Sequence, residues 1–175
     1  MNQDGTILYR GLTPYAIGLD LHGGYGETWS RGFEGAKGYA QPPHGYILQA
    51  VLHPSARQLV LVTEVDDEGF SDYVEDEIRL LAGIVGDPWV YESLMSGRRA
   101  LWEVWEPEWT EAIKKAGYDS IFTGGFDGPE EYVLNISQLR LVRCFRVLAR
   151  DRVEEYPIEG DMLVRLGYVV EGKND

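Results

Sequence analysis

Residues 128–135, Gly128-Pro129-Glu130-Glu131-Tyr132-Val133-Leu134-Asn135, carry two adjacent acids straight into an apolar run. The run reads as a β-strand bounded by turn residues. Neighbouring side chains on a strand alternate between its two faces, so one of the two acids must point the same way as the core-directed Val133. An acid at a strand's entry ordinarily meets water, and Glu130 is expected to do so. A carboxylate on an inner face costs on the order of several kcal/mol unless it is solvated or paired, so it marks a cleft.

The chain around this motif has 175 residues, 44% of them hydrophobic, with five Trp, eleven Tyr and five Phe. That is enough for one cored domain over residues 1–150, with a C-terminal extension, 151–175, packing onto it. Glycines gather at 18–45 and 117–128, a pattern of ordered, turn-rich loops. The formal charge of −13 repels phosphate backbones and argues against stable nucleic-acid binding. The same acidic surface could instead dock onto a basic protein partner. The single cysteine, Cys144, rules out an intramolecular disulfide and a cysteine zinc cluster. His22, His44 and His53 lack ligand spacing, so no metal is expected. The N-terminal residues have no secretory pattern and no run reaches membrane-spanning length. A cytoplasmic protein is the default expectation, and one delivered to a target cell by a signal-less route would look the same.

Local patterns predict strands at both ends of the chain and helices between them. TILYRGL (6–12) reads as the first strand over 6–11, and GLDLHGGYGE (18–27) as loop. A brief strand ends near Ser30, followed by a short helix in FEGAKGYA (33–40). GYILQAVLHP and RQLVLVTEV read as strands joined by a His-Pro-Ser turn. Ser71, with the Asp72 and Glu75 pair, predicts a capped helix carrying Val74, Ile78, Leu81 and Val85 on one face. Asp87-Pro88 opens a further segment to Gly97, and PEWTEAIKKAGY (107–118) is a helix with Pro107 in its first turn and Gly117 past its end. Strands return in SIFTG, EYVLN and QLRLVRCFRVL, and the tail from Arg150 is charged. The prediction is α+β with a mixed or antiparallel sheet.

Three stretches can be read for chemistry. Arg10 ends the first strand, and Gly11 beside it lets another group approach the backbone. In ETWSRGFEGAKGYA (27–40), Thr28 and Ser30 share a face with Trp29 turned away, while Ser30 and Tyr39 bracket the short helix. Each has a plain structural reading: a solvated strand-end charge, a hydroxyl-rich turn, an amphipathic core tyrosine. Together with an inward acid they suit stabilisation of a developing cation on a sugar.

The order YRG, then TWS with a following YA, then AGYDSIFTGG and EEYVLN resembles the ADP-ribosyltransferase superfamily. The similarity is to its small bacterial and phage members related to arginine-type toxins. It covers residues 6–40 and 113–142 and leaves 66–112 as a variable helical insert. The resemblance implies a split β-sheet core around an NAD cleft. It puts Arg10 in the place of the first-strand arginine, Thr28-Trp29-Ser30 in that of the hydroxyl motif and Glu131 in that of the catalytic acid. It further implies NAD as co-substrate, with its nicotinamide amide on the Gly11 backbone, its ring near Tyr39 and its phosphates or ribose near Arg10. Ser30 would orient Glu131, which would hold the ribose 2′-hydroxyl as nicotinamide leaves. ADP-ribose would then pass to a macromolecule, for which the charge favours a protein. Arginine-modifying members carry Glu or Gln two residues before the catalytic acid, whereas this chain has Pro129, which disfavours arginine as acceptor. The alternatives are an NAD glycohydrolase of the same fold, with water as acceptor, and an acidic, non-catalytic inhibitor, for which the stretch 64–77 is the motif.

Overall fold

The computed structural model describes residues 5–12, 27–40, 45–65, 71–96, 107–125, 128–150 and 152–158. The strands are β1 (Thr6–Leu12), β2 (Glu27–Ser30), β3 (Gly45–Leu52), β4 (Gln58–Val60), β5 (Val62–Val65), β6 (Ser71–Tyr73), β7 (Ser120–Gly125), β8 (Gly128–Val133), β9 (Leu139–Ala149) and β10 (Arg152–Tyr156). The helices are α1 (Phe33–Tyr39), α2 (Glu75–Val85), α3 (Trp89–Met95) and α4 (Pro107–Lys115). The chain is therefore α+β. It divides into two compact units, one holding 29–55 with β1, β9 and β10, the other holding 56–134 with residues 27 and 28.

In the first unit the strand order is β10-β9-β3-β1-β2, and each neighbouring pair is antiparallel. Alternation gives this sheet two apolar faces. Helix α1 packs Ala36 on one of them, in a cluster with Ala40, Ile47 and Val147 and with Tyr9, Phe33 and Phe145. The Phe33 ring meets Tyr9 and Phe145 edge-on, at centroid distances of 5.5 and 5.4 Å. The register Leu8↔Ala50↔Leu141 and Leu52↔Leu139 fills the other face, and all five residues are buried. Burying each Leu or Ile of this kind contributes about 1.5–3 kcal/mol.

The charged tail yields β10, which pairs antiparallel with β9 through Val153↔Val147. As the last strand in the order it tolerates its exposed charges, while Val153 supplies an apolar contact to the α1 cluster. The expected loop at 18–26 and the packing of residues 161–170 lie outside the described residues.

The second unit orders β8-β7-β4, with β7 antiparallel to β8 and parallel to β4. Its core joins Leu59, Ile121, Tyr132 and Leu134 from this sheet region to Ile78 and Leu81 of α2, Val90 and Leu94 of α3, and Trp109 and Ile113 of α4. The helical periodicity of 74–85 is thus borne out, but its start is not. Ser71–Tyr73 forms a strand paired with β5, and the Val74 N–H donates to the Leu61 carbonyl at 3.0 Å. Helix α2 begins at Glu75, and its N-cap, Val74, makes no side-chain cap. Strand pairing outcompetes the capping box because it satisfies the same backbone groups while tying the helix entry to the core.

Helices α2 and α3 are joined on their outer side. The Tyr91 hydroxyl and the Arg79 guanidinium both donate to Glu75 Oε1, at 2.6 and 2.5 Å, and the guanidinium lies 4.1 Å over the Tyr91 ring. The Tyr91 hydrogen bond, followed by Arg79, holds the Glu75 carboxyl below its usual range. The contribution of this group is therefore present above the ordinary carboxylate pKa and lost as pH falls through the lowered one. Among the described residues, no helix is long and apolar enough to cross a membrane.

Cys144 sits between Leu48 and Tyr156 in the β3–β9–β10 register and is fully buried, which pushes its thiol up to about 11. The thiol stays protonated in the fold, so its contribution to stability is lost only as pH rises toward that value. Native protein at pH 8 is expected to leave a colorimetric disulfide reagent unreacted for hours and to react with one equivalent in denaturant. Rapid native labelling would contradict the burial.

Candidate functional site

In the first unit, the register Tyr9↔Ser30 sets Ser30 on the α1 face of β1. The Ser30 hydroxyl donates to the Gly32 carbonyl at 2.8 Å and accepts from the Gly32 N–H at 3.0 Å, closing the turn that leads into α1. Thr28 lies two residues back and is half-buried, while Trp29 between them points the other way and is fully buried. Arg10, next to Tyr9, alternates to the opposite face, opposite Leu48. The structure therefore places Ser30 beside Tyr9 and turns Arg10 to the Leu48 side.

Gly11 admits a close neighbour, and that neighbour is α1. A Cβ at this position would run into the Ala36 carbonyl oxygen and lie 2.9 Å from both the Ala40 nitrogen and the Tyr39 Cβ. The missing side chain is thus used to seat the last turn of the helix on the sheet. Tyr39, at the end of that turn, is 52% exposed.

The acids lie in the second unit on β8. The register Ser120↔Val133, Ile121↔Tyr132, Phe122↔Glu131 and Thr123↔Glu130 fixes their faces. Parallel pairing extends these rows to β4, with Gln58 beside Ser120 and Val60 beside Phe122. Glu131 accordingly shares a face with Val133, Ser120 and Gln58, and Glu130 shares the other with Tyr132 and Ile121. Glu131 is 0% exposed and Glu130 only 7%. The expectation that Glu130 meets water is corrected here. Pairing with β7 carries Glu130 into the interior, and both faces of β8 are covered at this point.

Glu131 accepts a hydrogen bond at Oε1 from the Gln58 side-chain amide, at 3.0 Å. The beginning of β4 is anchored for this contact. The Arg57 N–H donates to Asp119 Oδ2 at 2.9 Å, and the Asp119 N–H donates back to the Arg57 carbonyl at 2.8 Å. The Arg57 guanidinium donates to the Ala116 carbonyl at 3.0 Å, past the end of α4, and lies 4.1 Å over the Tyr118 ring. A cation at a helix C-terminus is favourably placed against the helix dipole. Ser120, between Gln58 and Val133, is fully buried, and its hydroxyl has no hydrogen-bond partner among the described residues.

Sequence reading missed Gln58. A lone glutamine beside an apolar run carries no signal pointing to an acid 73 residues away. Among the described residues, no group of three or more His, Cys, Asp or Glu could hold a metal ion. Comparison of the chain with protein-family models, with curated proteins and with solved structures finds no match.

The arrangement offers a buried carboxylate positioned by a neutral amide, on a strand whose preceding residue is also a buried acid. In the first unit it offers an arginine on one strand and an exposed tyrosine at a helix end. The Gly11 packing yields a direct test. Gly11→Ala forces α1 off the sheet and is expected to cost about 1–3 kcal/mol of stability, measured by urea unfolding.

Proposed function

We propose that the protein is an NAD-dependent mono-ADP-ribosyltransferase acting on a protein acceptor. The observation that carries this reading is the fully buried Glu131, held at Oε1 by Gln58. A carboxylate in that setting is costly to the fold, and a strand retains one where its charge is used. The order of Arg10, Thr28-Trp29-Ser30 and Glu131 along the chain, similar to that of ADP-ribosyltransferases, supplies the chemistry.

In this reading Arg10 binds the phosphates or ribose of NAD by charge-assisted hydrogen bonds. Tyr39 stacks on the nicotinamide ring, and Thr28 and Ser30 line the approach to the ribose. Glu131 accepts the ribose 2′-hydroxyl proton in a hydrogen bond and faces the positive charge that grows at the anomeric carbon. The bond from that carbon to the nicotinamide nitrogen breaks, and nicotinamide leaves with the bonding pair. A nucleophile of the acceptor protein forms the new bond and gives up its proton. Pro129, two residues before Glu131, offers an incoming guanidinium no acceptor side chain, so the preferred acceptor is a residue other than arginine.

Incubation with NAD labelled on its adenine side separates the outcomes. Label on a lysate protein is the expected result. Free ADP-ribose alone indicates an NAD glycohydrolase. Unconsumed NAD, with Glu131→Ala preserving the biological effect, indicates a non-catalytic acidic inhibitor. Arg10→Ala is expected to weaken NAD binding by at least tenfold in Kd. Glu131→Ala should instead leave Kd within about threefold and lower kcat by 100-fold or more, roughly, because its contact matures in the transition state. Calorimetry and turnover measurements read the two effects separately.

A further inference from the structure

We infer that Gln58 is a positioning residue for the Glu131 carboxylate, an assignment that rests on the NAD-cleaving role of Glu131. The terminal torsion of a glutamate is soft and two-fold, so burial alone does not orient its oxygens. The Gln58 amide contributes to that orientation by donating to Oε1 at 3.0 Å, which ties one carboxylate oxygen to β4. Gln58 adds no charge of its own, so it holds the acid without subtracting from the negative charge that faces an oxocarbenium ion.

The register makes this contact possible. Gln58 and Glu131 stand on β4 and β8, on either side of β7, separated by two strand spacings (about 9.6 Å) across the sheet and by two residues (about 6.6 Å) along it. Only a pair of long side chains spans that gap. The residue of β7 beside Gln58 is Ser120, a small side chain on the same face. The backbone of the preceding Arg57 is locked to Asp119, so Gln58 enters β4 from a fixed origin. A Gln at this strand position, a Ser beside it and an acid diagonal to both form one device.

The test compares Gln58→Met, which keeps the length and removes the donor, with wild type in steady-state NAD cleavage. Misorientation of a reacting group by about 1 Å costs on the order of 100-fold, so kcat should fall roughly 10- to 100-fold with KM for NAD within about twofold. The same substitution is repeated in a Glu131→Asp background, where the carboxylate is one methylene too short for the amide. There it should change kcat by less than about twofold. Melting curves check that each variant folds, and the Gln58 side-chain amide resonance, which should move on Glu131→Asp, reads the contact without turnover. An active wild type with an unaffected Gln58→Met, an equal loss in both backgrounds, or an unmoved resonance overturns the assignment. A wild type that cleaves no NAD overturns the functional reading and with it the catalytic role of Gln58, and the resonance then reports separately whether the amide holds the acid.

Discussion

The antiparallel register of β7 and β8 is the constraint on which the second unit depends. It pairs Phe122 with Glu131 and Ile121 with Tyr132, and so decides which acid shares a face with Gln58 and which with the core tyrosine. A slip of one residue would exchange every side chain of β8 between its faces, taking Tyr132 out of the helix-packed cluster and Glu131 away from Gln58. The register is pinned at both ends. The Leu134 N–H donates to the Asp119 carbonyl at 2.8 Å, and Gly128 turns into the strand at φ +115 opposite Gly125. Because Asp119 also holds Arg57, one short segment sets the start of β4, the start of β7 and the end of β8.

The first unit follows a parallel logic with a different constraint. Gly11 lets α1 lie against the sheet, and Phe33 then reaches both Tyr9 and Phe145. That packing spends the α1 face of β1 on structure and leaves Arg10 on the other. Ser30 closes the turn into α1 and stands at the end of a strand whose Trp29 is buried. The residues proposed to bind NAD are thus embedded in the contacts that hold their own elements. A substitution among them tests fold and function together, which is why binding, turnover and stability need separate readouts.

Much of the fold was legible because it rests on periodicity. The first strand, the short helix at 33–39, the helical middle and the returning strands all follow from local alternation or helical spacing. Where reading failed, a distant partner had won. Ser71 looked like a helix cap but joined β5, and the charged tail, in which no strand was read, found an edge on β9. Glu130 looked solvent-facing because a strand entry usually is, yet pairing with β7 buried it. For the candidate site, Glu131 could be singled out by its place in the motif, whereas Gln58 could not, since nothing local distinguishes it from any other polar strand residue.

By itself, the sequence determined the α+β class, most of the element types and the presence of an acid with an inward direction in GPEEYVLN. Those properties are set by near neighbours, through alternation, helical spacing and turn chemistry. Only the tertiary structure decided that both acids are buried, that Gln58 holds Glu131, and that Gly11 serves α1. Each of these depends on the pairing or packing of elements remote in the chain, and local preference carries no information about which remote element will supply the partner.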